Sequence, residues 1–263
     1  MITKPILQLL LLLVMCFPAI SMASNYQRIV SLDICSDWML ASYAQRSQVV
    51  ALSPLLNDYQ VDWVQGEWPT HDGSLERVLE LNPDLVITGE FNATILRRRL
   101  QELGVQVRVF ALPKSLMEVH QYMQQFLRLL GNESELPQLP RFIEPEDNAP
   151  RLLLLGANGV GTGTGTLEHE VLEQAGWRNY IKGSGYGKLN MEQLIIEPPD
   201  AVLWSAPVSP ALANMFIEHP ALQKVMRDRY SKNLTFGHWQ CSGPWTWQQL
   251  EKLTTLRKQW QNK

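Results

Sequence analysis

Residues 74–89 read SLERVLELNPDLVITG and residues 190–205 read NMEQLIIEPPDAVLWS; the two align without a gap, every pair 116 residues apart. Glu76 meets Glu192, Pro83 meets Pro199, Asp84 meets Asp200 and Val86 meets Val202, and five further pairs exchange one apolar residue for another. Each copy has the pattern of a short helix, stopped by a proline that disfavours helix in the residue before it, then a buried strand. A unit written twice at this distance predicts duplicated architecture. A chain of 263 residues has room for two modest α/β units.

The rest of the sequence fits that plan. Apolar runs predict strands over 29–32, 49–52, 85–88 and 105–110, alternating with helices over 36–44, 74–81, 94–103 and 115–130. Ser36 is placed to cap the first helix, and Gly104 and Gly131 to close the last two. Residues 132–150 then hold Pro137, Pro140, Pro145 and Pro150 with few apolar residues, the composition of a link. The pattern restarts with strands over 151–155, 201–204 and 234–236 and helices over 167–175, 191–196, 210–218, 221–227 and 245–260. The predicted class is therefore α/β: two similar lobes, 24–131 and 151–263, each a mostly parallel sheet flanked by helices, with a ligand cleft between them.

Residues 1–23 differ in kind. Lys4, an apolar run over 6–14 and the small-residue end Ser21-Met22-Ala23 predict a secretory signal peptide cleaved after Ala23. The run is short for a membrane span. An exported chain meets an oxidising compartment, where Cys35 and Cys241 are either bonded to each other or two buried free thiols. A net charge of −3 gives no basis for nucleic-acid binding.

No enzyme signature assembles. GANGVGTGTGT at 156–166 sits where a phosphate loop would, between a strand and a helix. It lacks Gly-Lys-Ser/Thr, and Thr166 stands where the third dinucleotide-binding glycine belongs, so it reads as a flexible loop allowing close backbone approach. The histidines show no H-x-x-x-H spacing for a metal. A bare zinc or manganese carrier would need His71, His238 and two carboxylates to converge. An exported two-lobed enzyme would need a convergent acid–base or nucleophile set that the sequence does not supply. Nine tryptophans suit either a core or a site for something flat and large. Glu76 and Glu192 open their helices, where the dipole alone favours a carboxylate by roughly 0.3–1 kcal/mol.

The segments RIVSLDICSDWML, GSLERVLELNPDLVITG, GTGTGTLEHEVLEQAGWRN and NMEQLIIEPPDAVLW, in this order behind a signal peptide, resemble the periplasmic substrate-binding proteins of the iron-siderophore and vitamin B12 class of ABC importers. The resemblance covers essentially the whole mature chain. It implies a periplasmic monomer that is not an enzyme, holds no resident cofactor or metal, and captures a bulky metal chelate, a corrinoid or ferric siderophore. It implies delivery to an inner-membrane ABC permease, docked through Glu76 and Glu192. Loops at the strand ends would hold the ligand, with Asp33, Trp38, Tyr59, Trp68, Phe91, Asn158, Tyr186, His238, Trp239 and Trp245 as contacts. Few Lys or Arg in those loops favour a corrinoid or neutral hydroxamate complex, with haem a further alternative. The family's single long interlobe helix conflicts with the prolines of 132–150, which predict a shortened helix or an irregular link.

Overall fold

The computed structural model describes residues 26–140, 146–205, 212–227, 230–233 and 237–261. The expected signal peptide, the link residues 141–145, residues 206–211 with the start of the helix expected over 210–218, and the strand expected over 234–236 lie outside the described residues. No described helix is long and apolar enough to cross a membrane.

The first lobe is built on β1 (Ile29–Ser31), β2 (Val49–Ala51), β3 (Leu85–Gly89) and β4 (Val107–Phe110), all parallel, in the order β2-β1-β3-β4. Ile29, Leu85 and Ile87 face one side and meet α1 (Ile34–Tyr43) and α4 (Leu116–Leu130) through Met39, Val119 and Phe126. Val30 and Val86 face the other side, where α2 (Leu75–Glu80) and α3 (Thr94–Glu102) contribute Val78 and Leu100. With both faces covered, these strands read as continuous apolar runs. The cap of α1 is Asp33, not Ser36: its carboxylate accepts from the backbone N–H of Cys35 (3.0 Å) and Ser36 (3.1 Å). Ser36 falls inside the helix and donates its hydroxyl to the same carboxylate at 2.8 Å.

The second lobe centres on β5 (Arg151–Leu155), with β9 (Ala201–Trp204) and β10 (Tyr230–Asn233) parallel to it on one side. Its other edge takes β7 (Arg178–Asn179) near its start and β6 (Val160–Thr162) near its end, and β6 pairs with β8 (Tyr186–Lys188). The β5–β6 and β6–β8 pairings are antiparallel. Here α5 (Leu167–Gln174), α6 (Met191–Ile196), α7 (Pro220–Arg227) and the closing α9 (Pro244–Gln261) cover the sheet; α8 (Gly237–Gln240) is one turn before α9. The glycine run thus forms a strand and turn, which corrects the reading of a flexible loop. Its glycines serve close approach: a Cβ on Gly161 would lie 2.9 Å from the Ile181 side chain, and one on Gly163 would strike the Gly183 carbonyl.

The doubled Pro-Asp does the same work in both lobes. Asp84 accepts from the backbone N–H of Arg28 at 3.0 Å and returns its own N–H to the Arg28 carbonyl. Asp200 does the same with Arg151, at 2.8 Å and 2.9 Å. Each arginine side chain then folds back onto carbonyls of its own copy of the phrase, Leu81 and Asn82 in one lobe and Pro198 in the other. The repeat is therefore a device that starts each lobe's first strand beside the strand that follows the proline.

Among the described residues the lobes meet at the link, at the start of α4 and at the C-terminal end. After α4 closes at Gly131 (φ 74°), one 3-10 turn follows at Glu133–Glu135 and residues 136–140 carry no regular structure. Leu116, at the start of α4, packs in the second lobe's core, and its N–H donates to Glu170 of α5 at 3.2 Å. The third join revises the expected boundary. The chain returns across the cleft at its C-terminal end: Cys241 and Trp245 lie in the first lobe's core, while Leu250, Leu253 and Leu256 of α9 lie in the second lobe's core. Residues 151–263 are therefore not all second lobe.

Beneath the first lobe's strand ends is a buried polar knot. Asp37 accepts from the Ser53 N–H (2.9 Å) and hydroxyl (2.5 Å), and burial pushes its pKa up to about 7, with the charge of Asp33 adding to the effect. The folded state keeps a proton that the unfolded chain releases near 3.8. This contribution to stability is full below that pH and is lost as pH rises through about 7. We expect Asp37→Asn to reduce the fall in thermal midpoint between pH 5 and pH 8, measured by calorimetry on both proteins; an unchanged difference would count against it.

Candidate ligand cleft

The carboxyl ends of β1, β3 and β4 and the second lobe's β6–α5 turn face each other across the C-terminal crossing segment. Two adjoining depressions result, sharing Leu112, Pro113 and Ser242. The second-lobe half is a depression of about 100 Å³ lined by Leu167, Glu168, Tyr186, His238, Trp239, Gln240, Thr246 and Gln249, among others. The first-lobe half is a depression of about 60 Å³ lined by Asp33, Ser36, Gly89, Phe91, Asn92, Phe110 and Tyr122, among others. Both open at the carboxyl ends of the strands, where α/β sheets bind their ligands.

Five of the ten expected contact residues meet here: Asp33, Phe91, Tyr186, His238 and Trp239. Asp33 is almost wholly buried; besides capping α1 it accepts from the Gly89 N–H at 2.8 Å, fixing the end of β3. It shapes the cleft floor with its acceptor sites occupied. Phe91, 72% exposed, and Tyr186, 60% exposed, stand at opposite rims. His238 is buried, its ring tilted 67° to that of Trp63 with the centroids 4.9 Å apart, and its Nε2 accepts from the Lys252 ammonium at 3.1 Å. An ammonium has only donors, so that lone pair is engaged and not offered to a metal.

The other five sit elsewhere. Trp38 and Trp245 have no exposed surface to offer a ligand, at 0% and 1%. They pack edge to face at 5.8 Å, and Trp63 stacks on Trp245 at 5.2 Å. The Trp245 indole donates internally to the Cys241 carbonyl at 2.5 Å. These rings are the core beneath the cleft, not its wall. Tyr59 follows the helical turn Leu55–Asp58 and lines neither half. Trp68 lines a separate depression around 56–68, donates to the Gln65 carbonyl at 3.1 Å and lies under the Arg46 guanidinium at 4.4 Å. Asn158 occupies a left-handed turn (φ 57°) outside both halves.

His71 does not meet His238 at a metal. Its Nε2 donates to the Ser31 carbonyl (2.8 Å), its Nδ1 accepts from the Gly73 N–H (2.9 Å), and burial lowers its pKa. Among the described residues no group of three His, Cys, Asp or Glu could hold a metal ion. Cys35 and Cys241 are bonded, with Cα atoms 5.2 Å apart, and each lines one half of the cleft. Glu76 and Glu192 are exposed in the first turns of α2 and α6, behind the caps Ser74 and Asn190, and neither carboxylate has a partner among the described residues.

The residue missed from the sequence is Glu168. It is the second residue of α5, partly buried on the cleft wall, and accepts from the Tyr186 hydroxyl at 3.2 Å. Burial raises its pKa, and burial together with the Glu168 charge pushes Tyr186 up to about 12. In sequence it reads only as one of two first-turn acids behind the cap Thr166, Glu170 being the other.

The model of the family described as periplasmic binding protein matches residues 29–226. No match was found among curated proteins. Among solved structures, the periplasmic haem-binding protein HutB of Vibrio cholerae shares 18% identity at a TM-score of 0.67, over 88% of this chain and 98% of that one. The periplasmic vitamin B12-binding protein BtuF of Vibrio cholerae shares 19% identity at 0.62, over 90% and 98%. A periplasmic haem-binding protein from Pseudomonas aeruginosa shares 20% identity at 0.64, over 89% and 92%. At these identities the likeness is one of fold, and it extends over both lobes, while the family match runs from β1 nearly to the end of α7: the chain belongs to the periplasmic binding protein family.

Proposed function

We propose that the protein is the periplasmic binding component of an ABC importer, capturing a bulky metal chelate, cobalamin or a ferric siderophore, and delivering it to an inner-membrane permease. One observation carries the reading. The cleft is walled mainly by aromatic, apolar and neutral polar side chains, with the carboxylates of Asp33, Glu90 and Glu168 among them, and no Lys or Arg lines either half among the described residues. Large faces with few polar points suit a bulky ligand whose own donors already satisfy its metal. Glu76 and Glu192 remain exposed on the lobes' outer helices, free to meet a basic partner.

Haem is the second reading, favoured by two of the three fold relatives above. Its two carboxylates would find no basic side chain lining this cleft. A carrier of bare zinc or manganese has no ligand cluster among the described residues.

The test is a tryptophan-fluorescence titration of the mature chain with cobalamin, ferric hydroxamates, ferric catecholates, haemin, Zn²⁺ and Mn²⁺. Trp239 lines the cleft and Trp63 lies against His238 just beneath it, so a bound chelate should quench both. We expect saturable quenching by cobalamin or a neutral ferric hydroxamate. Silence with every chelate, beside tight binding of a bare ion, would overturn the reading.

A further inference from the structure

We infer that Glu168 is a specificity-determining residue that selects, within the chelate class proposed above, ligands presenting a cation or hydrogen-bond donor to the second-lobe wall and rejects those presenting a carboxylate there. The inference rests on the reading of the cleft as a chelate site. Three observations carry it.

First, Glu168 has no counter-cation. Its partners are the Tyr186 hydroxyl, Thr166 and its own backbone N–H, all neutral, and no ion pair reaches it among the described residues. A partly buried carboxylate without a positive partner is costly. Its raised pKa expresses that cost. Second, Glu168 is the acid among the residues lining the second-lobe half; Asp33 and Glu90 line the first-lobe half, where Asp33 is filled by α1 and Gly89 and Glu90 accepts from the Leu112 N–H at 2.7 Å. Third, the neighbouring cations are turned to protein groups: Lys252 donates to His238, and Arg97 donates to the Gly89 carbonyl at 3.1 Å. The opposite wall, through Phe91, Phe110 and Leu112, is apolar. The cleft therefore asks for a ligand with an apolar flank toward the first lobe and an N–H or ammonium toward Glu168. Donor and charge mismatches of this kind discriminate more strongly than differences in bulk, because a buried group is left unpaired.

The experiment compares pairs that share a chelate body and differ in charge, by isothermal calorimetry on the full mature chain, wild type and Glu168→Gln. One pair is cyanocobalamin and its monocarboxylic acid, in which one side-chain amide is hydrolysed. The other is ferrioxamine B, with its pendant ammonium, and its N-succinyl form, which ends in a carboxylate. Glutamine keeps a carbonyl oxygen for the Tyr186 hydroxyl, and an unchanged thermal midpoint checks the fold. In wild type we expect the carboxylate member of whichever pair binds to be at least tenfold weaker. Glu168→Gln should shrink that ratio to within about threefold. A wild-type ratio near one, a ratio unmoved by the substitution, or haemin as the tightest ligand would each overturn the inference. If no member of either pair and no other chelate binds, the failure belongs to the underlying reading of a chelate-binding protein.

Discussion

Replacing Cys35 with serine is expected to lower the midpoint of thermal unfolding by roughly 10 °C. The bond joins the first turn of α1 to the residue three before α9, across a sequence separation of 206. Closing so long a loop in the unfolded chain removes entropy equivalent to about 5 kcal/mol in the chain-entropy model, and measured effects cluster nearer 2–4 kcal/mol. For a protein of this size each kcal/mol moves the midpoint by about 2–4 °C. The bond also holds in place the segment that carries Trp245 into the first lobe's core and His238 and Trp239 to the cleft. Ligand affinity should therefore fall together with stability. Calorimetry on wild type with and without dithiothreitol should show the same drop, and Cys35→Ser/Cys241→Ser should melt with Cys35→Ser. Agreement of all these midpoints with untreated wild type, within 2 °C, would show that the bond does not stabilise the fold.

What was legible in the sequence was local. The helix–Pro-Asp–strand phrase could be read because a proline stop and an apolar run act over a few residues, and two copies fixed two lobes. What Asp84 and Asp200 bind was not legible. Their partners, Arg28 and Arg151, lie 56 and 49 residues earlier, and only the folded sheet brings them together. Trp38 and Trp245 were misassigned for a related reason. Trp38 sits on a helix with six buried residues in succession but one, so periodicity does not separate the ligand side from the core side. The C-terminal crossing is a return over the whole chain, and nothing in residues 237–247 marks which lobe receives them. Glycines carry no hydrophobic pattern, so β6 was invisible until Ile181 and Gly183 closed against it. Glu168 stayed hidden because a first-turn acid has a sufficient local explanation in the helix dipole. Only its place on the cleft wall gives it another.

Glu76→Ala/Glu192→Ala is expected to leave ligand affinity within twofold of wild type and to reduce uptake at least tenfold. Neither residue lines the cleft, so binding has no reason to change. Both stand in the first turn of helices that begin at the carboxyl edge of their sheets, at the same register of the repeat, exposed and without a partner. The local advantage of each carboxylate is the helix dipole, about 0.3–1 kcal/mol, so removing both should cost the fold little. A basic permease surface that reached both lobes would use both at once. Two simultaneous contacts make the second nearly intramolecular, so losing one should cost less than half of what losing both costs. Rim charges of this kind act mainly on encounter rate and are screened by salt. Uptake of labelled cobalamin or ferric hydroxamate into proteoliposomes holding the permease and its ATPase, at low and high ionic strength, measures this. Wild-type uptake should fall with salt, and uptake with the double variant should be low and nearly salt-independent. Charge reversal to lysine at both positions separates docking from the dipole, because a lysine in the first turn costs the helix little yet repels a basic permease outright. Undiminished uptake with either double variant would place the docking surface elsewhere, and loss of ligand binding would move the two glutamates into the site itself.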